Sequence, residues 1–135
     1  MPRNVVAILL AALALPALAD DEARTNYLYA CRGCHLADGS GVPPEVPSLR
    51  ETLGPLVASQ AGRDYLVRVP AVQQSRLNDR EVAEVLNWVL TELNPSTLPA
   101  NFRPFTEREV SAARTRILAD PVSYRAALSA TSATN

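Results

Sequence analysis

The sequence predicts an all-α fold, and three observations lead to it. Apolar residues from Val82 to Leu93 recur at the i, i+3, i+4 and i+7 spacing of one helix face. Thr106 and Glu109 have the spacing of a helix-capping box. No strand or β-α-β pattern surrounds the two cysteines. A length of 135 residues suits one domain, and a net charge of −1 gives no basis for a nucleic-acid-binding protein, which needs clustered cations.

The first 19 residues are predicted to be an export signal that is removed. Arg3 gives a positive start, residues 5–15 form an unbroken apolar run, and Ala17 and Ala19 are the small residues that signal peptidase accepts. The alternative is a retained membrane anchor, but this run is well short of the roughly 20 residues that cross a bilayer as a helix. We therefore expect cleavage after Ala19 and a periplasmic protein.

Residues 22–30 contain no Gly or Pro, and they are predicted to form a helix that leads to a Cys-x-x-Cys-His motif at residues 31–35. Two cysteines in an exported protein ordinarily pair, but a Cys31–Cys34 disulfide closes too short a loop to stabilise much. A thioredoxin-like redox pair requires the β-α-β context that this sequence lacks. Shuffling this composition places the five residues in this order with a probability on the order of 10⁻⁴, so the motif is significant.

The motif resembles the haem-attachment motif of c-type cytochromes. Residues 22–94 resemble class I cytochromes c, which are small all-helical electron carriers. The resemblance implies a class I cytochrome c-like fold around one covalently attached haem c. It assigns the thioether positions to Cys31 and Cys34, and the proximal iron ligand to His35, the only histidine in the chain.

A turn is predicted at residues 38–41, where Gly39 and Gly41 flank Ser40, and a proline-rich stretch continues to Pro47. In class I cytochromes c, a proline carbonyl at the corresponding place accepts the hydrogen bond from the proximal histidine ring. The resemblance assigns this role to Pro47. The alternative is that residues 42–47 are only a stiff loop.

The segment before the last cytochrome helix departs from the family pattern. A short helix ended by Pro70 is predicted here, and Val69 stands where family members carry a Met as the second axial ligand. Beyond residue 19 the chain has no Met, no Lys, no further Cys and no second His. The sixth iron position is therefore open or water-bound, held by a phenolate such as Tyr65, or filled by a partner subunit. Losing the Met sulfur also lowers the expected reduction potential.

The apolar stripe of residues 82–93 predicts a core-facing helix capped by Asn78 or Asp79, with Trp88 beside the stripe as a packing residue. This helix ends a predicted cytochrome domain of residues 20–94.

A C-terminal extension is predicted beyond that domain. Residues 95–105 form a proline-rich connector, residues 106–128 a helical extension, and residues 129–135 a disordered tail. We expect the extension to pack on the cytochrome body rather than to serve as a docking arm, through Phe102, Phe105, Ile117 and Leu118.

The resemblance implies a periplasmic monohaem cytochrome that carries single electrons from a dehydrogenase to an oxidase or another cytochrome. It is expected to be no enzyme, and to have no nucleic-acid partner and no stable membrane anchor. One alternative is a sensor whose open iron binds NO or CO; peroxide turnover is disfavoured because no distal His is available as a base. Another is a cytochrome subunit of a larger redox complex, with the extension bound to its partner.

Overall fold

The structure is a computed structural model that describes the backbone of residues 15–132 and the side chains of residues 20–130. Over this range it contains helices and one isolated bridge between Val42 and Val46, and the all-α prediction is confirmed. Residues 1–14 of the predicted export signal and residues 133–135 of the predicted tail lie outside the described residues. The helices are α1 (Leu15–Ala30), α2 (Arg32–His35), α3 (Gly54–Val57), α4 (Gln60–Arg68), α5 (Pro70–Gln73), α6 (Asp79–Leu93), α7 (Glu107–Arg114) and α8 (Pro121–Ser132).

The longest apolar face belongs to α6, and local chemistry explains where this helix begins. The Asn78 side chain accepts the Glu81 N–H at 3.0 Å, and the Glu81 carboxylate accepts the Asn78 N–H at 2.8 Å. This reciprocal pair satisfies two N–H groups that a helix start otherwise leaves free. The predicted stripe is buried, with Val82, Ala83, Val85, Leu86, Val89, Leu90 and Leu93 facing the core.

Helix α1 packs across α6. Tyr27 is fully buried at this crossing, and its ring centroid lies 5.2 Å from that of Trp88. Trp88 is therefore the packing residue that the sequence predicted. Ala23, one turn earlier on α1, is also buried. Among the side chains of α1 that the structure describes, which begin at residue 20, these two buried ones lie after the expected cleavage point at Ala19.

Helix α4 ends at Arg68, just before Pro70, as the sequence predicted. Ser59 caps its start by accepting the Gly62 N–H at 3.1 Å. The chain then turns through the short helix α5 and reaches the α6 cap at Asn78. Only ten residues separate α4 from α6.

The C-terminal extension completes the same core rather than forming a separate one. Phe105, Val110, Ala113 and Leu118 are buried in one cluster with the apolar face of α6. Ile117 was expected to pack as well, and this expectation is wrong because its side chain is 80% exposed. Helix α8 continues past Leu128 to Ser132, so the disorder predicted for residues 129–132 is replaced by helix.

The capping box predicted for α7 forms only in part. Thr106 accepts the Glu109 N–H at 3.2 Å, as expected. The second bond of the box, from the Thr106 N–H to the Glu109 carboxylate, does not form. This carboxylate pairs instead at 2.7 Å with the buried guanidinium of Arg63 on α4. Arg63 also donates to the Arg103 carbonyl at 2.7 Å and lies 4.0 Å over the Phe105 ring. A single buried arginine thereby joins the extension to α4.

In the part of the chain described, none of the helices is both long and apolar enough to cross a membrane.

Candidate haem-attachment site

The imidazole of His35 is held from one side by a backbone carbonyl. Its Nδ1 lies 3.1 Å from the oxygen of Pro47, twelve residues away in the sequence. A carbonyl oxygen only accepts hydrogen bonds, so this contact requires the proton on Nδ1 and leaves the lone pair of Nε2 free. The two residues that the resemblance paired therefore lie together, with Nε2 available to a metal.

The loop that carries Pro47 is closed by its own backbone. Val42 and Val46 exchange two N–H to O=C bonds of 2.9 Å, and the Gly41 N–H donates to the His35 carbonyl at 3.0 Å. Gly41 has a φ of +64°, and a Cβ there would lie 2.7 Å from the Pro47 oxygen. Only glycine allows this approach. The sequence marked Gly41 as part of a turn, but its close contact with Pro47 was missed.

The two cysteines lie one helical turn apart, directly before the imidazole. The N–H groups of Cys34 and His35 both donate to the Cys31 carbonyl, at 3.2 Å and 3.0 Å. Both thiols are free; Cys31 is partly buried and Cys34 is exposed. Burial, with a smaller contribution from the charge of Cys34, raises the pKa of the Cys31 thiol to about 11. Two thiols at this spacing lie on one side of the turn, so both can reach the same edge of one planar cofactor.

A buried tyrosine supports the residue that follows the imidazole. The Tyr27 hydroxyl donates to the Leu36 carbonyl at 2.7 Å. Leu36 has a φ of +64°, a backbone conformation that residues other than glycine rarely adopt. Burial, followed by the charges of Cys31 and Asp38, raises the pKa of Tyr27 to about 12, so its hydroxyl remains a donor.

The environment of His35 favours its neutral form. Burial lowers the pKa of the imidazole below its usual value, and the hydrogen bond to Pro47 opposes this shift. The positive charge of Arg125 lowers the pKa further. A neutral imidazole is the form that binds a metal. No group of three or more His, Cys, Asp or Glu that could hold a bare metal ion occurs among the described residues.

The segment between α5 and α6 is held by the extension. The guanidinium of Arg114, at the end of α7, donates to the carbonyls of Gln73, Ser75 and Leu77 at 2.9–3.3 Å. It also pairs with Asp79 at 2.8 Å. No sequence signal set this arginine apart from the other twelve.

The tyrosine considered as an alternative axial ligand is packed inside the protein. Tyr65 is 6% exposed, and its ring lies parallel to that of Tyr124 on α8, with 6.1 Å between the centroids. Val69 is partly buried against the core.

Comparison with known proteins identifies the family. No family model matches the chain. The chain is 33% identical over 137 positions to a cytochrome c-552 of Thermus thermophilus, and the match covers 87% of this chain and 90% of that protein. A second cytochrome c-552 of Thermus thermophilus is 32% identical over 106 positions, which cover 65% of this chain and 81% of that protein. Because 87% of 135 residues is about 117, about 20 positions of the first match have no counterpart here.

The all-α fold and the Cys-x-x-Cys-His turn define the class of small helical proteins that carry an attached haem. The chain belongs to the c-type cytochrome family. Its fold is the all-α cytochrome c-like fold, its cofactor is covalently bound haem c, and it takes part in electron transfer rather than in catalysis.

Proposed function

We propose that this protein is a periplasmic class I cytochrome with one haem c. Cys31 and Cys34 are the attachment thiols, and His35 is the proximal iron ligand. The protein carries single electrons between a dehydrogenase and a downstream oxidase or other cytochrome. The observation that carries the proposal is the 3.1 Å contact between His35 Nδ1 and the Pro47 oxygen.

This contact has a chemical consequence for a metal at Nε2. The carbonyl fixes the tautomer and the orientation of the ring. It also makes the lone pair of Nε2 a stronger ligand for the metal. The loop closed by Val42 and Val46 holds the carbonyl in place. When bound, haem c supplies an iron that gains and loses one electron, while the protein sets its potential and its docking surface.

Export is part of the proposal and is supported by the sequence pattern of residues 1–19. The buried side chains Ala23 and Tyr27 of α1 both remain in a chain that is cleaved after Ala19. Covalent attachment suits an exported protein, since a tethered cofactor is not lost by dilution.

The covalent attachment is tested by acid-acetone extraction of the exported holoprotein and by its pyridine haemochrome spectrum. We expect the parent to retain its haem, and Cys31→Ser and Cys34→Ser each to weaken this retention. Arg32→Gln, which lies between the thiols and leaves both intact, is the matched control and should retain haem fully. A parent that releases its haem, or normal retention in both cysteine variants, would contradict the proposal.

A second candidate function is the binding of a small gas at an open sixth position. It is favoured by the place of Tyr65, whose ring is enclosed in a stack with Tyr124. Valine at position 69 offers no donor atom. The test is a CO titration of the ferrous protein. Ready binding, together with a ferric spectrum that lacks the near-infrared sulfur-to-iron band, supports an open site; a low-spin spectrum unchanged by CO contradicts it.

A further inference from the structure

The chain at His35 and Leu36 is held at three points. The imidazole Nδ1 lies 3.1 Å from the Pro47 oxygen, and the His35 carbonyl accepts the Gly41 N–H at 3.0 Å. Both of these bonds come from the proline-rich loop. The third comes from a different element, because the Leu36 carbonyl accepts the Tyr27 hydroxyl of α1 at 2.7 Å. The turn that carries the candidate iron ligand is therefore fixed from two sides.

Leu36 adopts a backbone conformation that needs such support. Its φ is +64° and its ψ is 169°, a combination that is essentially confined to glycine. Other residues persist in it only where the surrounding structure enforces it. Burial of the side chain contributes little here, since Leu36 is 42% exposed. The bond from Tyr27 thus restrains the residue that directly follows His35.

Tyr27 is itself a fixed point. It is fully buried where α1 crosses α6, and its ring centroid lies 5.2 Å from that of Trp88. A side chain enclosed in this way keeps one rotamer, so its hydroxyl oxygen stays in one place. Phenylalanine would fill the same space without the hydroxyl. Packing alone therefore does not account for a tyrosine at this position.

We propose that Tyr27 is a positioning residue for the iron ligand, which acts through Leu36 to fix the direction of the His35 imidazole and thereby sets the reduction potential of the haem. The inference rests on the proposed function, because it requires haem attached beside His35. Tyr27 acts through the main chain, since the carbonyl that it holds belongs to the residue joined to His35.

The direction of the effect follows from the contact between His35 and Pro47. A carbonyl that accepts the Nδ1 proton raises the basicity of Nε2, and a more basic ligand stabilises the ferric state more than the ferrous state. The contact therefore lowers the reduction potential. Hydrogen bonds weaken steeply when they bend, so a small rotation of the peptide after His35 weakens this one. Without the Tyr27 hydroxyl the potential should rise.

The test measures the reduction potential of the holoprotein by potentiometric titration. We expect Tyr27→Phe to raise the equilibrium constant for reduction about threefold, which is about 28 mV because tenfold corresponds to 59 mV for one electron. We also expect the His35 Nδ1 proton of the ferrous protein to exchange with solvent about threefold faster, observed by NMR. Tyr29→Phe, which removes a hydroxyl from a residue that is 72% exposed, is the matched control and should change neither quantity.

Two further variants separate positioning from stability. Val110→Ala removes a fully buried side chain of α7, away from α1 and the His35 turn, so it should destabilise the protein without changing the potential. Leu36→Gly lets position 36 keep its conformation without strain. In the Leu36→Gly background, Tyr27→Phe should therefore raise the potential by at most about half as much as it does in the parent.

Each other result overturns the inference. An unchanged potential in Tyr27→Phe makes the tyrosine a packing residue only, and an equal rise in Val110→Ala makes the shift a consequence of lost stability. An undiminished rise in the Leu36→Gly background shows that Tyr27 does not act through Leu36. A Tyr27→Phe chain that does not fold also counts against the inference, because the hydroxyl then serves the core. A parent that releases its haem in acid acetone overturns the proposed function instead.

Discussion

The Tyr27 hydroxyl donates a 2.7 Å hydrogen bond to the carbonyl of Leu36, the residue that directly follows His35. Tyr27 is fully buried between α1 and α6, so this bond ties the strained end of the His35 turn to the interior of the protein. An aromatic residue four positions before Cys31 thus supports the end of the turn that carries His35.

Tyr27→Phe keeps the packing but leaves the Leu36 carbonyl without its donor. We expect the free energy of unfolding to fall by about 1–2 kcal/mol, measured by denaturant titration. Tyr29→Phe is the control, because Tyr29 is 72% exposed, and it should change stability by less than about 0.5 kcal/mol. Equal effects of the two substitutions would show that the Tyr27 hydroxyl contributes nothing.

Gly41→Ala places a methyl group against the carbonyl that accepts the His35 hydrogen bond. The new Cβ would lie 2.6 Å from the Val46 oxygen and 2.7 Å from the Pro47 oxygen, at a φ that disfavours any side chain. We expect a loss of about 2 kcal/mol and faster solvent exchange of the His35 Nδ1 proton, observed by NMR. Gly33→Ala meets nothing within 4 Å and serves as the control. An unchanged exchange rate in Gly41→Ala would contradict the assigned role of this loop.

Glu109→Gln tests the ion pair that joins the extension to α4. Hydrogen bonds from Arg63 lower the pKa of Glu109 below its usual value, and burial opposes them. The folded state therefore binds the proton less tightly than the unfolded state. The stability that this pair contributes is present above about pH 4.5 and is lost as the pH falls through the lowered pKa.

We expect Glu109→Gln to cost about 3 kcal/mol at neutral pH, because it leaves the Arg63 charge buried and unpaired. It should also flatten the dependence of stability on pH below about pH 5, where the parent's carboxylate begins to take up its proton. Glu107→Gln, on the exposed side of α7, is the control and should cost less than about 1 kcal/mol. If the stability of Glu109→Gln and that of the parent depend on pH in the same way, this carboxylate is not the group that causes the pH dependence.

Arg114→Gln removes the hydrogen bonds that hold residues 73–79. We expect a loss of about 2–4 kcal/mol and faster amide hydrogen exchange confined to this segment. Arg108→Gln, on the same helix and without these bonds, should leave both quantities near those of the parent. Exchange that accelerates evenly along the chain would mean that Arg114 supports global stability only.

Val69→Met tests whether position 69 is the place at which family members carry their Met ligand. We expect a six-coordinate haem with a near-infrared sulfur-to-iron band and a raised reduction potential, because a Met ligand raises it. Val72→Met, also partly buried and three residues away, is the control and should leave the spectrum unchanged. If Val69→Met also leaves the spectrum unchanged, the family position has been assigned to the wrong residue.

The elements that the sequence predicted well are those set by local chemistry. Helix α6 has its apolar stripe within one segment, and its cap is Asn78, one of the two residues that the sequence offered; the reciprocal bond from Glu81 was not predicted. Pro47 required the family resemblance, since nothing in residues 42–47 shows where the carbonyl will point. The contact with His35 depends on a loop that turns back over twelve residues.

The extension was predicted less well because its contacts depend on how the connector folds back. Ile117 follows Val110 and Ala113 at helical spacing, but α7 ends at Arg114, so the helical phase is lost before Ile117. Arginines in a polar helix look alike in the sequence whether they point to water or clamp a loop. Arg114 could therefore be distinguished from the other arginines only by the folded chain.

The joining of Arg63 to Glu109 also bears on where the chain can be shortened. Phe105, Val110 and Ala113 lie in the same buried cluster as the apolar face of α6. A chain cut before residue 105 would uncover that face and leave the buried Arg63 guanidinium without its carboxylate. Removal of these residues should therefore unfold the protein rather than trim an appendage.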